Sequence, residues 1–427
     1  MHTTRIKWIP FKICVVLVLL LHSNLHRSIV VHSLATRSTD TQNGDVAVVR
    51  RLLQRANIPL ARVQDIRRVT AKSAFCNALY RVTMMPYDDE NHNNNGNSLW
   101  PYTNVVPSSS SSSSYMAKVF SPLAASRMQR PSVDDDRGNK NYDNYSHDET
   151  RLFRIDELAA EHDLGPKIFA TIDTTSSPAL LMQDCPGNPM SELELQENKH
   201  IVRLAAEALA KLHTLTPISQ ISTDTSRNNN MLWQSCHVLM QQYADPRWCV
   251  PDGDRTPWTY DRLYNCIRKH EMELEQDKDL FVTDTGHGDC KPSNLLVQDG
   301  DSVDHAPRVR FLDLELAGTH YVAFDIAKLW RTSSYKTAAE QVQRTNQRQL
   351  FLQTYTEHFP GDAMVNASIL QDQVDRLIPL TWLEAAAFFV AMSATSSKNQ
   401  SEREHWDSLA LDRLRSYTEY CNSALPS

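Results

Sequence analysis

The 427-residue sequence predicts an α+β protein of two lobes, a small one rich in β-strands followed by a larger, mainly helical one. Three observations predict this order. Segments between positions 65 and 120 are rich in β-branched and aromatic residues. Residues 184–188 then form a linker of turn-forming residues. Beyond this linker apolar residues recur mostly at helical spacing, which predicts the helical second lobe.

The individual elements follow from local patterns. Strands are predicted at residues 65–70, 78–84, 115–120 and 179–182, with two more near positions 295 and 311. Apolar residues at helical spacing predict a helix from about Glu149 to just before Leu164. Residues 201–215 form a second, strongly amphipathic helical pattern. Helices are expected over most of the remaining chain.

The composition is that of a globular protein and excludes several classes of function. Apolar residues make up 41% of the chain, and 44 basic residues stand against 51 acidic ones, a formal charge of −7. This balance indicates neither a nucleic-acid-binding patch nor a polybasic membrane surface, and it suits a cationic small substrate. The eight cysteines contain no C-x-x-C pair, which argues against a zinc ribbon or a redox motif.

The first residues are predicted to be a targeting segment. Arg5, Lys7 and Lys12 precede the short apolar run at residues 13–21, as in a signal peptide or signal anchor. We assign residues 1–45 to this leader and expect an endomembrane, secretory or plastid route, with a cytoplasmic location otherwise. Any proximity to a membrane is expected through this segment alone.

The rest of the chain is divided at the linker. We assign residues 46–182 to the first lobe and residues 183–427 to the second. Within the first lobe, residues 88–114 are rich in Asn and Ser, and residues 131–146 are rich in Asp, Asn and Lys. Because such compositions cannot bury a core, both segments are predicted to be disordered insertions.

The segment that carries chemical information is residues 285–297, T-G-H-G-D-C-K-P-S-N-L-L-V. Phosphoryl transfer needs a carboxylate to orient the acceptor hydroxyl and oxygen ligands for magnesium on the phosphates. Asp289 would supply the first, and Asn294 an amide ligand on the same loop. Asp313, at the end of an apolar strand, would supply a carboxylate ligand. Since magnesium keeps several waters, these two ligands suffice, and the pattern predicts a magnesium-ATP phosphotransferase.

These motifs resemble the aminoglycoside-phosphotransferase-like kinases, a superfamily with a protein-kinase-like bilobal fold. Residues 313–327, D-L-E-L-A-G-T-H-Y-V-A-F-D-I-A, look like the choline/ethanolamine kinase signature. The resemblance extends to residues 78–82, 164–168, 187–190 and 209–213. It implies an ATP-dependent kinase acting on the hydroxyl of an amino alcohol, with choline or ethanolamine favoured, in phospholipid headgroup synthesis.

The resemblance also implies roles for single residues of the second lobe. Asp289 would be the catalytic base, His287 would brace its loop, and Lys291 would contact the transferred phosphate. Asn294 and Asp313 would be the magnesium ligands. The substrate would be contacted by Glu315, Asp325 and Trp330.

In the first lobe, Lys118 matches the lysine that binds the ATP phosphates. Glu149 matches its helical ion-pair partner, and Glu157 is a rival for that role. The adenine-binding hinge would be Met182, Gln183 and Asp184. Aromatic boxes bind ammonium groups through several rings, and candidate rings in the second lobe are Trp330, Trp382, Phe388, Phe389, Trp406 and Tyr417.

Three features depart from the family pattern. Residues 70–77, at the position of the family's phosphate loop, contain no glycine. Lys328 stands where the family has Asn after the D-I-A motif. Thr332, beside Arg331, replaces a glutamate that faces the cationic headgroup, and positive charge there would repel a quaternary ammonium.

Three alternatives remain open on the sequence. A protein kinase shares the catalytic-loop pattern, but only 11 residues separate Asp313 from Asp325, which leaves little room for a peptide-binding platform. Another small hydroxyl compound, such as a sugar or an aminoglycoside, would fit the departures at Lys328 and Thr332. A pseudokinase that binds nucleotide without catalysis would fit the glycine-free segment.

Overall fold

The computed structural model describes ten stretches of the chain and confirms the α+β fold of two lobes. They are residues 39–69, 77–85, 114–128, 153–174, 178–215, 230–298, 307–331, 338–359, 366–396 and 399–424. Glu149, residues 70–76 of the glycine-free segment and Thr332 lie outside the described residues. So do residues 1–38 of the predicted leader and both predicted insertions, apart from Ser114.

The first lobe is built on one antiparallel sheet of five strands. They are β1 (Val63–Val69), β2 (Asn77–Met84), β3 (Ser114–Phe120), β4 (Ile168–Ile172) and β5 (Ala179–Gln183). Their order in the sheet is β1-β2-β3-β5-β4. Four of these strands are predicted by the sequence, whereas β4 is not, because it lacks the continuous apolar run that marks the equally short β5.

A helix that the sequence did not predict, α1 (Thr39–Arg55), packs on this sheet. Its residues Val49, Leu52 and Leu53 are buried in the sheet's core. The hydroxyl of Tyr80 donates a hydrogen bond to Asp45 Oδ2 over 2.9 Å. The helix overlaps the predicted leader at residues 39–45, and the contact of Asp45 with the sheet places part of this overlap in the folded lobe.

Two short helices complete the described part of the first lobe, α2 (Pro122–Met128) and α3 (Arg154–Glu161). Phe153, which directly precedes α3, packs on Phe120 with ring centroids 5.5 Å apart. The chain leaves α3 through Asp163, whose φ of 59° is left-handed. This reversal leads directly into β4 at the edge of the sheet.

The second lobe consists of eight helices in the described residues, joined by short strands. The helices are α4 (Glu192–Glu197), α5 (Lys199–His213), α6 (Met231–Val238), α7 (Tyr260–Gln276), α8 (Val322–Trp330), α9 (Ala338–His358), α10 (Ala367–Thr395) and α11 (Gln400–Ala424). The strands are β6 (Asn188–Pro189), β7 (Cys249–Asp252), β8 (Arg255–Thr259), β9 (Thr283–Gly286), β10 (Leu295–Gln298), β11 (Arg308–Phe311) and β12 (Gly318–Tyr321). Only β10 and β11 are predicted by the sequence, and all seven strands are short, at two to five residues.

Helix α10 is the central helix of the second lobe. By length and composition it could cross a membrane, and it is the one helix of the described chain for which this holds. Of its apolar 18-residue window, 78% is buried inside the protein, where it packs on α8 and α11. Its apolar character is therefore accounted for by the core of the lobe.

Candidate active site

The structure brings the three residues predicted to act on phosphate together at the cleft between the lobes. Asp289 and Asn294 lie on the loop between β9 and β10, and Asp313 follows β11. The amide of Asn294 donates to the Asp289 backbone carbonyl over 3.0 Å and to Asp289 Oδ2 over 3.2 Å. The Leu312 N–H donates to the Asn294 carbonyl over 2.8 Å, which fastens the end of β11 beside the loop.

The loop is anchored from behind by Asp325, the fourth residue of α8. The N–H groups of His287 and Gly288 donate to its two carboxylate oxygens over 2.6 and 2.9 Å, and His213 Nε2 lies 3.0 Å from Oδ2. Burial opposes the charge of Asp325, but the hydrogen bond with His213 and the neighbouring imidazoles of His213, His320 and His287 hold its pKa at about 2. Asp325 is fully buried. The structure therefore places it behind the loop as a positioning residue and does not bring it to the cavity as a substrate contact.

His287 lies where the predicted bracing role requires it. Its Nε2 is 2.9 Å from the carbonyl oxygen of Leu312, and its Nδ1 accepts a hydrogen bond from the Asp289 N–H over 3.3 Å. The ring also packs against Phe311. Because His287 is fully buried, it acts on the loop and has no surface in the cleft.

Gly288 allows the loop to turn beneath Asp289. Its φ is +76°, and a Cβ atom there would lie 2.5 Å from the Leu316 carbonyl oxygen and 2.7 Å from His320 Nε2. The Leu316 oxygen belongs to the backbone, so no change of a neighbouring side-chain rotamer could make room for a Cβ at this position. Both the positive φ and the lack of space therefore require glycine at position 288.

Asp289 is held by two lysines. Lys291 Nζ lies 2.9 Å from Oδ2, and Lys328 Nζ lies 2.8 Å from Oδ1. Burial would raise the pKa of Asp289, but the two ammonium groups hold it well below its usual range. The carboxylate is therefore ionised at neutral pH, and both of its oxygens already accept a charged hydrogen bond.

Lys118 of β3 reaches across the cleft to the second lobe. Its Nζ lies 2.9 Å from Asp313 Oδ1 and also contacts Glu315, which accepts a hydrogen bond from Asn77 over 3.1 Å. Burial would lower the pKa of Lys118, but the two carboxylates raise it above its ordinary value. Asp313 adopts a left-handed conformation with φ of 60°, a strain of the kind found at functional sites.

The helical acid beside Lys118 is Asp156 of α3. Glu157, the predicted rival of Glu149, points instead to Arg154, 3.9 Å away. Burial raises the pKa of Asp156 to about 7, while Lys118 opposes the rise. The sequence did not single out Asp156, because the choice between adjacent acids depends on where α3 begins.

Comparison with known proteins places this site in a family. Residues 139–360, more than half of the chain, match the phosphotransferase enzyme family (APH). The chain belongs to this family. The chain is therefore a small-molecule phosphotransferase by family, as the resemblance implies. A comparison with curated protein sequences finds no match.

Solved structures show the fold of the phosphotransferase. The ethanolamine kinase of Plasmodium vivax superposes with a TM-score of 0.56 at 14% identity, covering 88% of this chain and 86% of that one. The choline kinase of Streptococcus pneumoniae gives 0.48 at 13% identity, over 88% and 100%. An aminoglycoside phosphotransferase of Streptomyces rimosus gives 0.44 at 16% identity, over 79% and 98%. The first likeness confirms the kinase-like bilobal fold.

The predicted hinge residues lie at the end of β5, where the phosphotransferase chain passes to its second lobe. The Gln183 N–H donates to the Lys167 carbonyl over 2.8 Å. Asp184 pairs with Arg81 over 2.8 Å and accepts from Ser114 over 2.7 Å. Neither they nor Met182 line the cavity that contains Asp289, so their contact with adenine stays a prediction.

Trp330, predicted to contact the substrate, is buried against Phe351 and Arg344 in the phosphotransferase core. Glu315 does line the cavity, although its carboxylate already contacts Lys118 and Asn77. The structure thus brings only one of the three predicted substrate residues to the cleft.

Sequence reasoning missed a buried charge network beside Asp289 in the phosphotransferase cleft. Glu384 of α10 accepts from Lys328 over 2.9 Å and from Arg127 of α2 over 2.8 Å. Arg127 also donates to Ser235 over 2.8 Å. Burial would raise the pKa of Glu384, but Lys328 and Arg127 lower it. Lys328 stood out in the sequence only as a departure, and its partners are distant in the chain.

The pH dependence of stability is expected to report on Asp156. Its raised pKa means that its stabilising contribution is complete below about pH 4, near its ordinary value, and is lost as the pH rises towards 7. Asp156→Asn should therefore flatten the fall in the free energy of unfolding between pH 4 and 7. Urea unfolding across this range measures it, with Asp372→Asn at an exposed position as the control. Equal slopes for wild type and Asp156→Asn would contradict the prediction.

Proposed function

We propose that the protein transfers the γ-phosphoryl group of magnesium-ATP to the hydroxyl of a small molecule. The observation that carries the proposal is the convergence of Asp289, Asn294 and Asp313 at a cleft that Lys118 spans from the other lobe. In this proposal the acceptor oxygen forms a bond to the γ-phosphorus as the bond to ADP breaks, and Asp289 receives the hydroxyl proton. Catalysis rests on positioning and charge stabilisation.

The charges of the cleft fit the two ends of this reaction. In this proposal Lys118, which pairs with Asp313, contacts the phosphates of ATP, and Lys291, which pairs with Asp289, contacts the transferred group. Because Lys291 and Lys328 hold the pKa of Asp289 low, its carboxylate is a weak base that orients the acceptor hydroxyl and takes up its proton late.

The residues present also fit a magnesium ion. Asn294 offers an amide and Asp313 a carboxylate, the hard oxygen ligands that magnesium prefers while it keeps several waters. In this proposal Asn294 and Asp313 are the two protein ligands, and water completes the coordination. When bound, magnesium neutralises the charge that develops on the phosphates.

The acceptor is proposed to be an amino alcohol, with choline or ethanolamine favoured. Two observations support it: the D-L-E and F-D-I-A motifs resemble the choline/ethanolamine kinase signature, and the fold is like that of an ethanolamine kinase. Such a product would serve phospholipid headgroup synthesis. Other small hydroxyl compounds, including aminoglycosides, are the alternative within the same chemistry.

The test is magnesium-dependent ADP formation by the full chain with choline, ethanolamine, further amino alcohols and aminoglycosides. We expect turnover on at least one small hydroxyl compound, with direct detection of its phosphorylated form. The full chain is used because α1 begins within the predicted leader and packs on the first lobe. ATP binding without turnover on any acceptor would favour the pseudokinase, and turnover on a peptide would favour a protein kinase.

A further inference from the structure

We propose that the acceptor carries an anionic group, a carboxylate or a phosphate, which Arg331 and Lys328 bind beside the reacting hydroxyl. This inference rests on the proposed phosphotransfer and changes the expected charge of its substrate. An amino alcohol that also bears an acid, such as a hydroxy amino acid, would satisfy both. The argument has three parts: the balance of charge, the aromatic faces and the contacts of Asp289.

The cavity is lined by more positive than negative side chains. Its described lining holds five cations and four carboxylates: Lys118, Arg127, Lys291, Lys328 and Arg331 against Asp289, Asp313, Glu315 and Glu384. All four carboxylates are paired with protein cations of the same lining. No carboxylate of this lining is therefore left unpaired for the ammonium group of a substrate, whereas one of the cations pairs with none of the four.

Arg331 is that charge. Its guanidinium donates to the Thr381 carbonyl over 2.5 Å and lies 4.7 Å from the Trp382 ring centre. No carboxylate of the described residues forms an ion pair with it. Burial, together with the nearby Arg413, lowers the pKa of Arg331 to about 10, which leaves it charged at neutral pH. An anion bound here would offset the repulsion between the Arg331 and Arg413 guanidinium groups.

The aromatic rings near the acceptor already face cations of the protein. Arg127 lies 5.5 Å from the Phe388 ring centre, and Arg413 lies 5.6 Å from that of Trp382. A quaternary ammonium needs such faces open to it. Three of the predicted box residues are thus occupied by guanidinium groups, since Arg413 also lies 6.0 Å from Phe389.

The contacts of Asp289 give the anion a role in the reaction. Lys328 occupies Oδ1 and Lys291 occupies Oδ2, so an acceptor hydroxyl must share or displace one of them. Lys328 and Arg331 are three residues apart at the end of α8 and line the same cavity. An anion on the acceptor would draw the Lys328 ammonium towards itself and leave Oδ1 for the hydroxyl.

The test compares acceptors that differ only by the acid. Serine is measured against ethanolamine. Glycerate and glycerol 3-phosphate are each measured against glycerol, and the comparison of these two distinguishes a carboxylate from a phosphate. With the full chain we expect at least one anionic member to exceed its counterpart about tenfold or more in kcat/KM, the effect of a single charged hydrogen bond. A preference for the uncharged or cationic member of every pair would overturn the inference and leave the phosphotransfer proposal standing.

Arg331→Gln is the matched variant. We expect it to lower kcat/KM for the preferred anionic acceptor about 10- to 100-fold, mostly through KM, and to change that of the counterpart without the acid about twofold at most. Arg376→Gln is the control, since Arg376 pairs with Asp277 and packs over Phe281 away from the cavity. Equal losses for both members of a pair would show a merely structural role.

A binding measurement decides the inference when no acceptor in the panel turns over. Alanine, the deoxy analogue of serine, and inorganic phosphate are titrated by calorimetry into the full chain with magnesium-ADP. We expect wild type to bind at least one of them about tenfold more tightly than Arg331→Gln does. Equal affinity, or no binding by wild type, overturns the inference. Absence of magnesium-ATP binding would instead count against the proposed function. Lys328→Asn offers a second variant should Arg331→Gln fail to fold.

Discussion

Asp289→Asn is expected to lower kcat about 10²- to 10⁴-fold, the range attributed to a positioned acid or base, with little change in nucleotide affinity. The amide keeps the shape of the side chain but cannot take up the acceptor proton. It also removes the charge that Lys291 and Lys328 neutralise at 2.9 and 2.8 Å. The measurement is single-turnover phosphorylation at saturating acceptor, beside direct titration with magnesium-ATP.

The control for this variant is Asp284→Asn, since Asp284 lies on β9 just before the same loop and does not line the cavity. We expect its turnover to stay within about twofold of wild type, because this half-buried carboxylate contacts the Thr285 N–H and lies outside the cavity. If Asp289→Asn kept full turnover, Asp289 would not be the catalytic base. If nucleotide binding fell together with turnover, the loop itself would have rearranged.

The sequence predicted the parts of the site in which local pattern and chemistry agree. Asp289 and Asn294 lie on one loop, so their spacing alone placed them together. Asp313 could be added because an apolar strand ends at it. Lys118 was predicted from the resemblance, and its contact with Asp313 across the cleft agrees with that prediction.

The acceptor side could not be predicted because its charges come from three separate elements. Arg127 lies on α2, Lys328 on α8 and Glu384 on α10, and nothing in the spacing of these residues reveals that they meet. Taken alone, each of these three residues is typical of a solvated charge on the surface of a helix. Only the packing of α10 against α8 buries them together.

Boundaries and side-chain directions were also beyond the sequence. Helix α1 was missed because its first residues are polar and include Gly44, a weak helix former. Asp325 was expected at the substrate because it is part of the family signature. A sequence signature does not say in which direction a side chain points. The structure turns it inward to the N–H groups of the catalytic loop.

Asp313→Asn is expected to lower turnover about 10²- to 10³-fold and to raise the magnesium concentration needed for half-maximal rate. The reason is that a neutral amide is a poorer magnesium ligand than a carboxylate. Asp313 also lies 2.9 Å from Lys118, so its loss weakens the bridge between the lobes. Rate as a function of magnesium at fixed ATP separates these two effects.

Glu315→Gln supplies the contrast, because Glu315 shares Lys118 with Asp313 but is not a proposed magnesium ligand. Both variants disturb the lysine, and only Asp313→Asn should shift the magnesium midpoint. If both lowered the rate with the midpoint unchanged, Asp313 would act by holding Lys118, and the metal would need another carboxylate. If the magnesium midpoint shifted in Asp313→Asn alone, Asp313 would be a magnesium ligand. The left-handed conformation of Asp313 would then serve metal binding, because it sets the direction of the carboxylate at the end of β11.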